Sequence, residues 1–107
     1  MTVSRADSLR NMPPQLIAVL TLYPTSAGGR ESPAQPGWGC PCFASKSHEV
    51  DGYDGWPLLE DTPLTPGGRR RVGFVFLSGK TAADALSAAG TFYLWEGRFV
   101  GEATVVG

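Results

Sequence analysis

The sequence predicts an all-β protein, on four observations. Residues 71–106 contain runs rich in Val, Phe, Tyr and Trp, residue types enriched in β-strands. The apolar residues around Glu96 and Gly97 meet at a dipeptide suited to a tight hairpin, because Gly tolerates positive φ. Apolar and polar residues then alternate along 98–105, the pattern of a half-buried strand. Finally, 14 glycines and 9 prolines imply many turns, which favours short strands over long helices.

The chain has 107 residues, of which 42% are hydrophobic and 18% charged, so we expect one globular domain. Residues 1–14 are polar and end in two prolines. We interpret them as a disordered N-terminal tail, and residues 15–107 as the single folded domain. Either Met1 or Met12 could be the physiological start.

The first strand is predicted over residues 16–23, where a nearly continuous apolar run stops at Pro24. Residues 25–37 follow as a long loop with fixed kinks. A second strand is predicted within residues 38–46, and Pro41 would restrict it to an edge or a bulge, because proline lacks a backbone N–H.

The middle of the chain is predicted to hold turns over 47–56, a short strand over 57–60 and another turn over 64–68. A long strand follows over 69–77. The small residues of 81–90 form the only helical passage. We expect Thr81 to cap this helix, Asp84 to complete a capping box, and Gly90 to end it.

With these elements placed, a family resemblance becomes visible. Residues 23–33 read Tyr-Pro-Thr-Ser-Ala-Gly-Gly-Arg-Glu-Ser-Pro, and Gly37-Trp38 follows. Pro66-Gly67 precedes the long strand, and residues 92–106 read Phe-Tyr-Leu-Trp-Glu-Gly-Arg-Phe-Val-Gly-Glu-Ala-Thr-Val-Val. In this order the motifs resemble the C-terminal domain (domain III) of elongation factor Tu, over roughly residues 16–107.

The resemblance implies a six-stranded antiparallel β-barrel, here with one short helix. In that family the domain contacts the T-arm of aminoacyl-tRNA and packs against the GTPase domain. The family's loop is matched by Gly28, Gly29, Arg30 and Pro33, with Ser32 in place of Thr, and its hairpin by Gly97, Arg98 and Gly101. The departures are Glu31 for the loop His, Gly39 for an Arg, and Cys-Pro-Cys for an aromatic-rich strand.

The net charge of −1 provides no overall attraction to nucleic acid or to anionic membranes. RNA binding would therefore need a local patch. On a strand, Arg69 and Arg71 would share one face, and Lys46, Arg30 and Arg98 could extend the patch. The candidate RNA contacts are Lys46, Arg69 and Arg71. Alternatively, the arginines only discourage edge pairing of the strand.

No secretory signal and no apolar run of about 20 residues is present, so we expect a cytoplasmic protein with reduced cysteines. Strand geometry would place Cys40 and Cys42 on the same face, where they and His48 could supply three metal ligands. A structural zinc site uses four, so buried thiols acting as small apolar residues are favoured. Residues 78–81 end like a phosphate-binding loop, but Phe74 stands where its first Gly belongs, so we expect no nucleotide or other cofactor.

We therefore expect a non-enzymatic binding module whose partner is a protein, with no membrane partner. RNA or tRNA binding linked to translation is the alternative, and a metal or thiol site at Cys40 and Cys42 is the second alternative. The predicted partner-binding residues are Gly28, Gly29, Arg30, Ser32, Pro33, Trp38, Gly97 and Arg98.

Overall fold

The computed structural model describes residues 4–47 and 50–107, which form a closed barrel of six antiparallel strands. The predicted fold class is thereby confirmed. The strands are β1 (Leu16–Leu22), β2 (Cys40–Phe43), β3 (Gly52–Pro57), β4 (Arg69–Phe76), β5 (Thr91–Trp95) and β6 (Phe99–Val105). Two helices, α1 (Arg5–Arg10) and α2 (Lys80–Ala89), and a 3-10 turn at Thr25–Ala27 complete the described elements.

The strands follow one another around the barrel in the order β1-β4-β3-β2-β5-β6, and β1 closes it by pairing with both β4 and β6. Alternate residues of β1 are buried, as expected for a barrel wall with one face inside. Three phenylalanine rings fill part of the interior. Phe74 lies 5.9 Å from Phe76 and 5.1 Å from Phe92 between ring centroids.

Helix α2 packs against β4 and β5 and buries Ala82, Ala83 and Leu86. It begins one residue earlier than predicted, with Gly79 as its N-cap and no side-chain cap. The predicted capping box of Thr81 and Asp84 is therefore wrong, since the Asp84 carboxylate instead pairs with Lys80. The helix ends at Gly90 with φ 85°, as the sequence predicts.

The order of turn and strand in the middle of the chain was predicted wrongly. Strand β3 occupies Gly52–Pro57, where turns were expected, and the strand expected over 57–60 does not extend beyond Pro57. Gly55 lies within the strand and not in a turn, and its role is in side-chain packing. A Cβ there would lie 2.7 Å from the Phe76 ring, so Gly55 makes room for that ring inside the barrel.

Pro41 does not lie on an edge strand, because β2 pairs with β3 on one side and β5 on the other. The prediction of an edge is thus wrong. The ladder to β5 contains only Cys42 and Phe43, so Pro41 lies outside it. Because Pro41 is not part of this ladder, its missing N–H does not interrupt the pairing of β2 with β5.

A disordered tail was expected over residues 1–14, and the described part of it, residues 4–14, contains helix α1. Helix α1 is capped by the Ser4 side chain, which accepts a hydrogen bond from the Asp7 N–H at 3.2 Å. Leu9 is buried, and Arg10 pairs with Asp61 at 2.6 Å. One apolar anchor and one ion pair hold the segment on the barrel. Neither α1 nor α2, the helices of the described ranges, is long and apolar enough to cross a membrane.

Candidate partner-binding surface

The structure brings the eight predicted partner-binding residues together. The loop Gly28–Pro33 meets the tip of the β5–β6 hairpin, Glu96–Arg98, and Trp38 lies beside both. Arg98 donates from Nε to the Gly28 carbonyl at 2.6 Å and from Nη2 to the Gly29 carbonyl at 3.0 Å. We call Gly28–Pro33, Trp38 and Glu96–Arg98 the loop–hairpin network.

Arg30 is the centre of this network. Its Nη1 donates to Glu96 Oε2 at 2.6 Å, and its Nε donates to the Ser32 carbonyl at 3.2 Å. Its guanidinium lies 5.0 Å from the centre of the Trp38 ring, and Trp38 Nε1 donates to Glu96 Oε2 at 2.8 Å. The Arg30 side chain is only 13% exposed. The Arg30 and Arg98 side chains therefore hold the loop in place, and their hydrogen bonds within the protein compete with any contact to phosphate.

Arg30→Ala and Glu96→Ala should each destabilise the protein, and a double-mutant cycle should show coupling of about 1 kcal/mol. The reason is that charge-assisted hydrogen bonds join a nearly buried cation to a half-exposed carboxylate. Urea denaturation of the four proteins measures this coupling.

The matched control for that cycle is the exposed pair Lys80 and Asp84, which should couple by only about 0.3–0.5 kcal/mol. Equal coupling in the two pairs would show that the loop–hairpin network does not hold the loop.

A second feature lies on the outer wall beside the network. Five aromatic side chains from four segments form a cluster there. Three of the rings contact Lys46, whose ammonium lies 5.1 Å from the ring centre of Tyr23, 5.2 Å from that of Tyr93 and 5.6 Å from that of Phe99. Phe99 also makes edge-to-face contacts with Trp95 at 5.0 Å and Phe43 at 6.1 Å. We call Tyr23, Phe43, Lys46, Tyr93, Trp95 and Phe99 the aromatic surface.

Sequence reasoning named only Lys46 of this surface. The available signal was the alternation along β5 and β6, which places Tyr93 and Phe99 on the opposite face from the buried Phe92 and Val100. The contribution of Phe43 depends on the pairing of β2 with β5, which sequence alone did not predict.

Tyr23 links the aromatic surface to a carboxylate. Its hydroxyl donates to Glu102 Oε1 at 2.9 Å. Burial, followed by this hydrogen bond, raises the pKa of Tyr23 to about 12. The folded protein thus holds the phenol proton more tightly than the unfolded chain does.

The raised pKa predicts a loss of stability at alkaline pH. The contribution of Tyr23 is complete below its unperturbed pKa of 10.0 and is lost as the pH rises towards 12, because the unfolded phenol ionises first. Urea denaturation across this range should show a steeper loss for the wild type than for Tyr23→Phe. Parallel pH profiles would contradict the contact with Glu102.

The predicted basic patch is not assembled as one surface. Arg69 and Arg71 lie on the outer face of β4, whereas Lys46 lies in the aromatic surface. Arg69 pairs with Thr21 on β1, Thr21 with Glu102 on β6, and Glu102 with Tyr93 on β5, the residue that Lys46 contacts. Three strand spacings correspond to about 14 Å, with a carboxylate in between. Arg30 and Arg98 are engaged in the loop–hairpin network.

The two cysteines are free and buried, and both alternate to the inner face of β2, as predicted. The hydrogen bond of the Cys42 thiol to Cys40, together with burial, raises the pKa of Cys42 well above its usual range. A protonated thiol is a weak nucleophile and a weak metal ligand. His48 lies outside the described residues, and residues 4–47 and 50–107 contain no cluster of three metal-ligating side chains.

No protein-family model matches the chain, and a search of curated proteins finds no match to it.

Proposed function

We propose that this chain is a non-enzymatic binding module, similar to an isolated domain III of elongation factor Tu, that binds a protein partner. The aromatic surface and the adjoining loop–hairpin network form the interface. The observation that carries the proposal is a cluster of five aromatic rings on the outside of the barrel, of which Trp95 is 36% exposed. Aromatic residues supply most hot spots in protein interfaces.

The polar groups around the rings favour a protein over an RNA partner. The Lys46 ammonium already lies against three ring faces that a base would need for stacking. Glu102 borders the cluster, and its carboxylate would repel a phosphate backbone. Aromatic rings accompanied by charged residues of both signs are typical of a protein interface.

The family resemblance supports the same face. The positions that match the family's loop are Gly28–Arg30 and Pro33, and those that match its hairpin include Gly97 and Arg98. Gly97 and Arg98 lie between Trp95 and Phe99 in the chain, and Arg98 bonds the loop at the Gly28 carbonyl. In elongation factor Tu the corresponding surface packs against the GTPase domain. A partner with a complementary apolar patch is therefore the ligand we expect here.

Replacement of Trp95 tests the proposal. Wild-type protein is immobilised, partners are captured from nuclease-treated lysate, and the captured protein is purified and titrated. Trp95→Ala should weaken its binding about 30-fold, the effect of losing a hot spot of 2 kcal/mol. Because the Trp95 side chain is 36% exposed and contacts Phe99 on the outer wall, the fold should persist, as circular dichroism would verify.

The control is Leu77→Ala, which removes a 74% exposed apolar side chain between β4 and α2, away from the aromatic surface. It should bind like the wild type. If Trp95→Ala binds normally, or if nuclease removes every captured partner, the proposed interface is wrong.

RNA binding is the second candidate, and Arg69 and Arg71 favour it. Both are exposed on the same face of β4, and neither has an ion pair within the described ranges. Binding of this kind should weaken steeply with salt, and Arg69→Gln should reduce the salt dependence. An interaction that is insensitive to salt would eliminate this candidate.

A further inference from the structure

Three rings of the aromatic surface share one cation. The Lys46 ammonium lies 5.1 Å, 5.2 Å and 5.6 Å from the ring centres of Tyr23, Tyr93 and Phe99, a distance at which a cation is attracted to the face of a ring. The Tyr93 and Phe99 rings have centroids 6.2 Å apart and an interplanar angle of 74°, so they form two walls of a corner. We call Tyr23, Tyr93 and Phe99 the aromatic cage.

Two other cations lie on aromatic rings in the described part of the chain, and each contacts one ring. Arg5 lies 5.4 Å from the Trp56 ring centre. It belongs to α1, which forms one wall of a groove of about 450 Å³ whose opposite wall is the segment after β3. Arg30 lies 5.0 Å from the Trp38 ring centre. The contact of Lys46 with three rings therefore distinguishes the aromatic cage from a single cation–π pair.

The aromatic cage attracts positive charge but offers it no carboxylate partner. Lys46 has no ion pair within residues 4–47 and 50–107. The Glu102 carboxylate, which borders the cage, accepts a hydrogen bond from the Tyr23 hydroxyl at 2.9 Å. A primary ammonium carries three N–H donors, and the ring faces provide no oxygen to accept them. The cage is thus better suited to a cation that has no N–H group.

Lys46 can leave the aromatic cage without disturbing the barrel. Its side chain is exposed, and it lies in a bend three residues after the end of β2. Its four-carbon stem is flexible, and a cation–π contact at an exposed site is weak. The three rings, in contrast, stand on β5 and β6 or directly after β1, where the Tyr23 N–H donates to the Val100 carbonyl at 2.9 Å.

We propose that the aromatic cage binds a quaternary ammonium group, the side chain of a trimethylated lysine on the protein partner, and that Lys46 occupies the cage until that partner binds. The inference rests on the proposed function for the source of this group. A trimethylated ammonium keeps its charge but has no N–H donor, and aromatic cages are the sites that recognise such cations. Once Lys46 has moved out, the Glu102 carboxylate adds to the attraction.

The first test is NMR titration of the full chain with choline and with neohexanol, in which an uncharged tert-butyl group replaces the trimethylammonium group. Choline should shift the signals of Tyr93 and Phe99 saturably and bind about tenfold more tightly than neohexanol, because only the cation is attracted to the ring faces. Ethanolamine, which carries a primary ammonium, should bind more weakly than choline. The signals of Trp56, which contacts Arg5 alone among the cations of the described ranges, should not move.

Three variants test the individual contacts. Lys46→Ala should tighten choline binding about threefold, because it removes the competing ammonium. Tyr93→Leu should weaken choline binding about tenfold, because it removes one wall of the aromatic cage. Tyr93→Phe keeps the ring and is the matched control, so it should bind choline like the wild type.

A short peptide of glycines around one lysine tests the source of the ammonium group. The trimethylated peptide should bind and should compete with choline, whereas the unmodified peptide should bind about tenfold more weakly. Binding of choline without binding of the trimethylated peptide would overturn the assignment to a protein side chain. Equal affinity for choline and neohexanol, or equal effects of Tyr93→Leu and Tyr93→Phe, would overturn the cage itself.

The cage and the proposed interface can fail separately. If Trp95→Ala weakens binding of the captured partner but neither choline nor the trimethylated peptide binds saturably, the cage is wrong and the interface stands. If both probes bind and Trp95→Ala leaves the captured partner unaffected, the cage stands and the interface is wrong.

Discussion

Phe74→Ala is expected to lower the free energy of unfolding by about 4 kcal/mol, because it empties a fully buried aromatic site. The Phe74 ring contacts both Phe76 and Phe92, so its removal leaves a cavity between β4 and β5. Urea denaturation followed by tryptophan fluorescence measures the loss. A small domain has only about 5–15 kcal/mol of stability, so the alanine variant could unfold completely.

Phe74→Leu keeps the comparison informative, since it retains most of the apolar volume and should cost less than the alanine change. Leu77→Ala, three residues later and 74% exposed, should stay within about 0.5 kcal/mol of the wild type. A loss below about 1 kcal/mol for Phe74→Ala would be inconsistent with a ring packed at the centre of the barrel.

Gly29→Ala is expected to destabilise the protein by about 3 kcal/mol and to displace the loop of the loop–hairpin network. A Cβ at this position would lie 1.9 Å from the Tyr23 carbonyl oxygen, which is backbone and cannot rotate away. Because Arg98 holds the Gly29 carbonyl, movement of the loop should also break that hydrogen bond. Partner binding should fall together with stability.

Gly97→Asn is the matched control for Gly29→Ala, because Gly97 lies on the hairpin side of the loop–hairpin network. Gly97 has φ 75° with no atom within 4 Å of a built Cβ. Asn adopts this left-handed conformation more readily than most residues, so the expected cost is below about 1 kcal/mol. If Gly29→Ala were as stable as the wild type, the loop would not be packed against Tyr23.

Local patterns in the chain were sufficient for several elements. Continuous apolar character predicted β1, and the alternation after Gly97 predicted β6. Small residues followed by Gly90 predicted α2. In each case the information is contained within about ten consecutive residues, since it depends on side-chain period and on the conformational freedom of glycine.

The misassigned elements depend on distant contacts. Strand β3 contains two glycines and an aspartate, which favour turns locally, but Gly55 accommodates the Phe76 ring from β4. Helix α1 is six residues long and would be marginal alone. It gains support from the burial of Leu9 and from the ion pair between Arg10 and Asp61, 51 residues away.

The candidate sites likewise depend partly on local sequence motifs and partly on contacts between distant residues. Family resemblance named the residues of the loop–hairpin network, but their roles follow from Arg30 reaching Glu96 across 66 residues. The groove between α1 and the segment after β3 had no sequence signal, because its two walls come from segments about 50 residues apart.

By itself, the sequence determined that this chain folds as an all-β protein with a short helix, because strand period, hairpin glycines and helix-forming alanines act over short distances. Only the tertiary structure decided which charges remain uncompensated and which aromatic rings stay on the outer wall. The physical reason is that exposure and ion pairing depend on the closure of the barrel, which brings Phe43, Tyr93 and Phe99 together and separates Arg69 from Lys46.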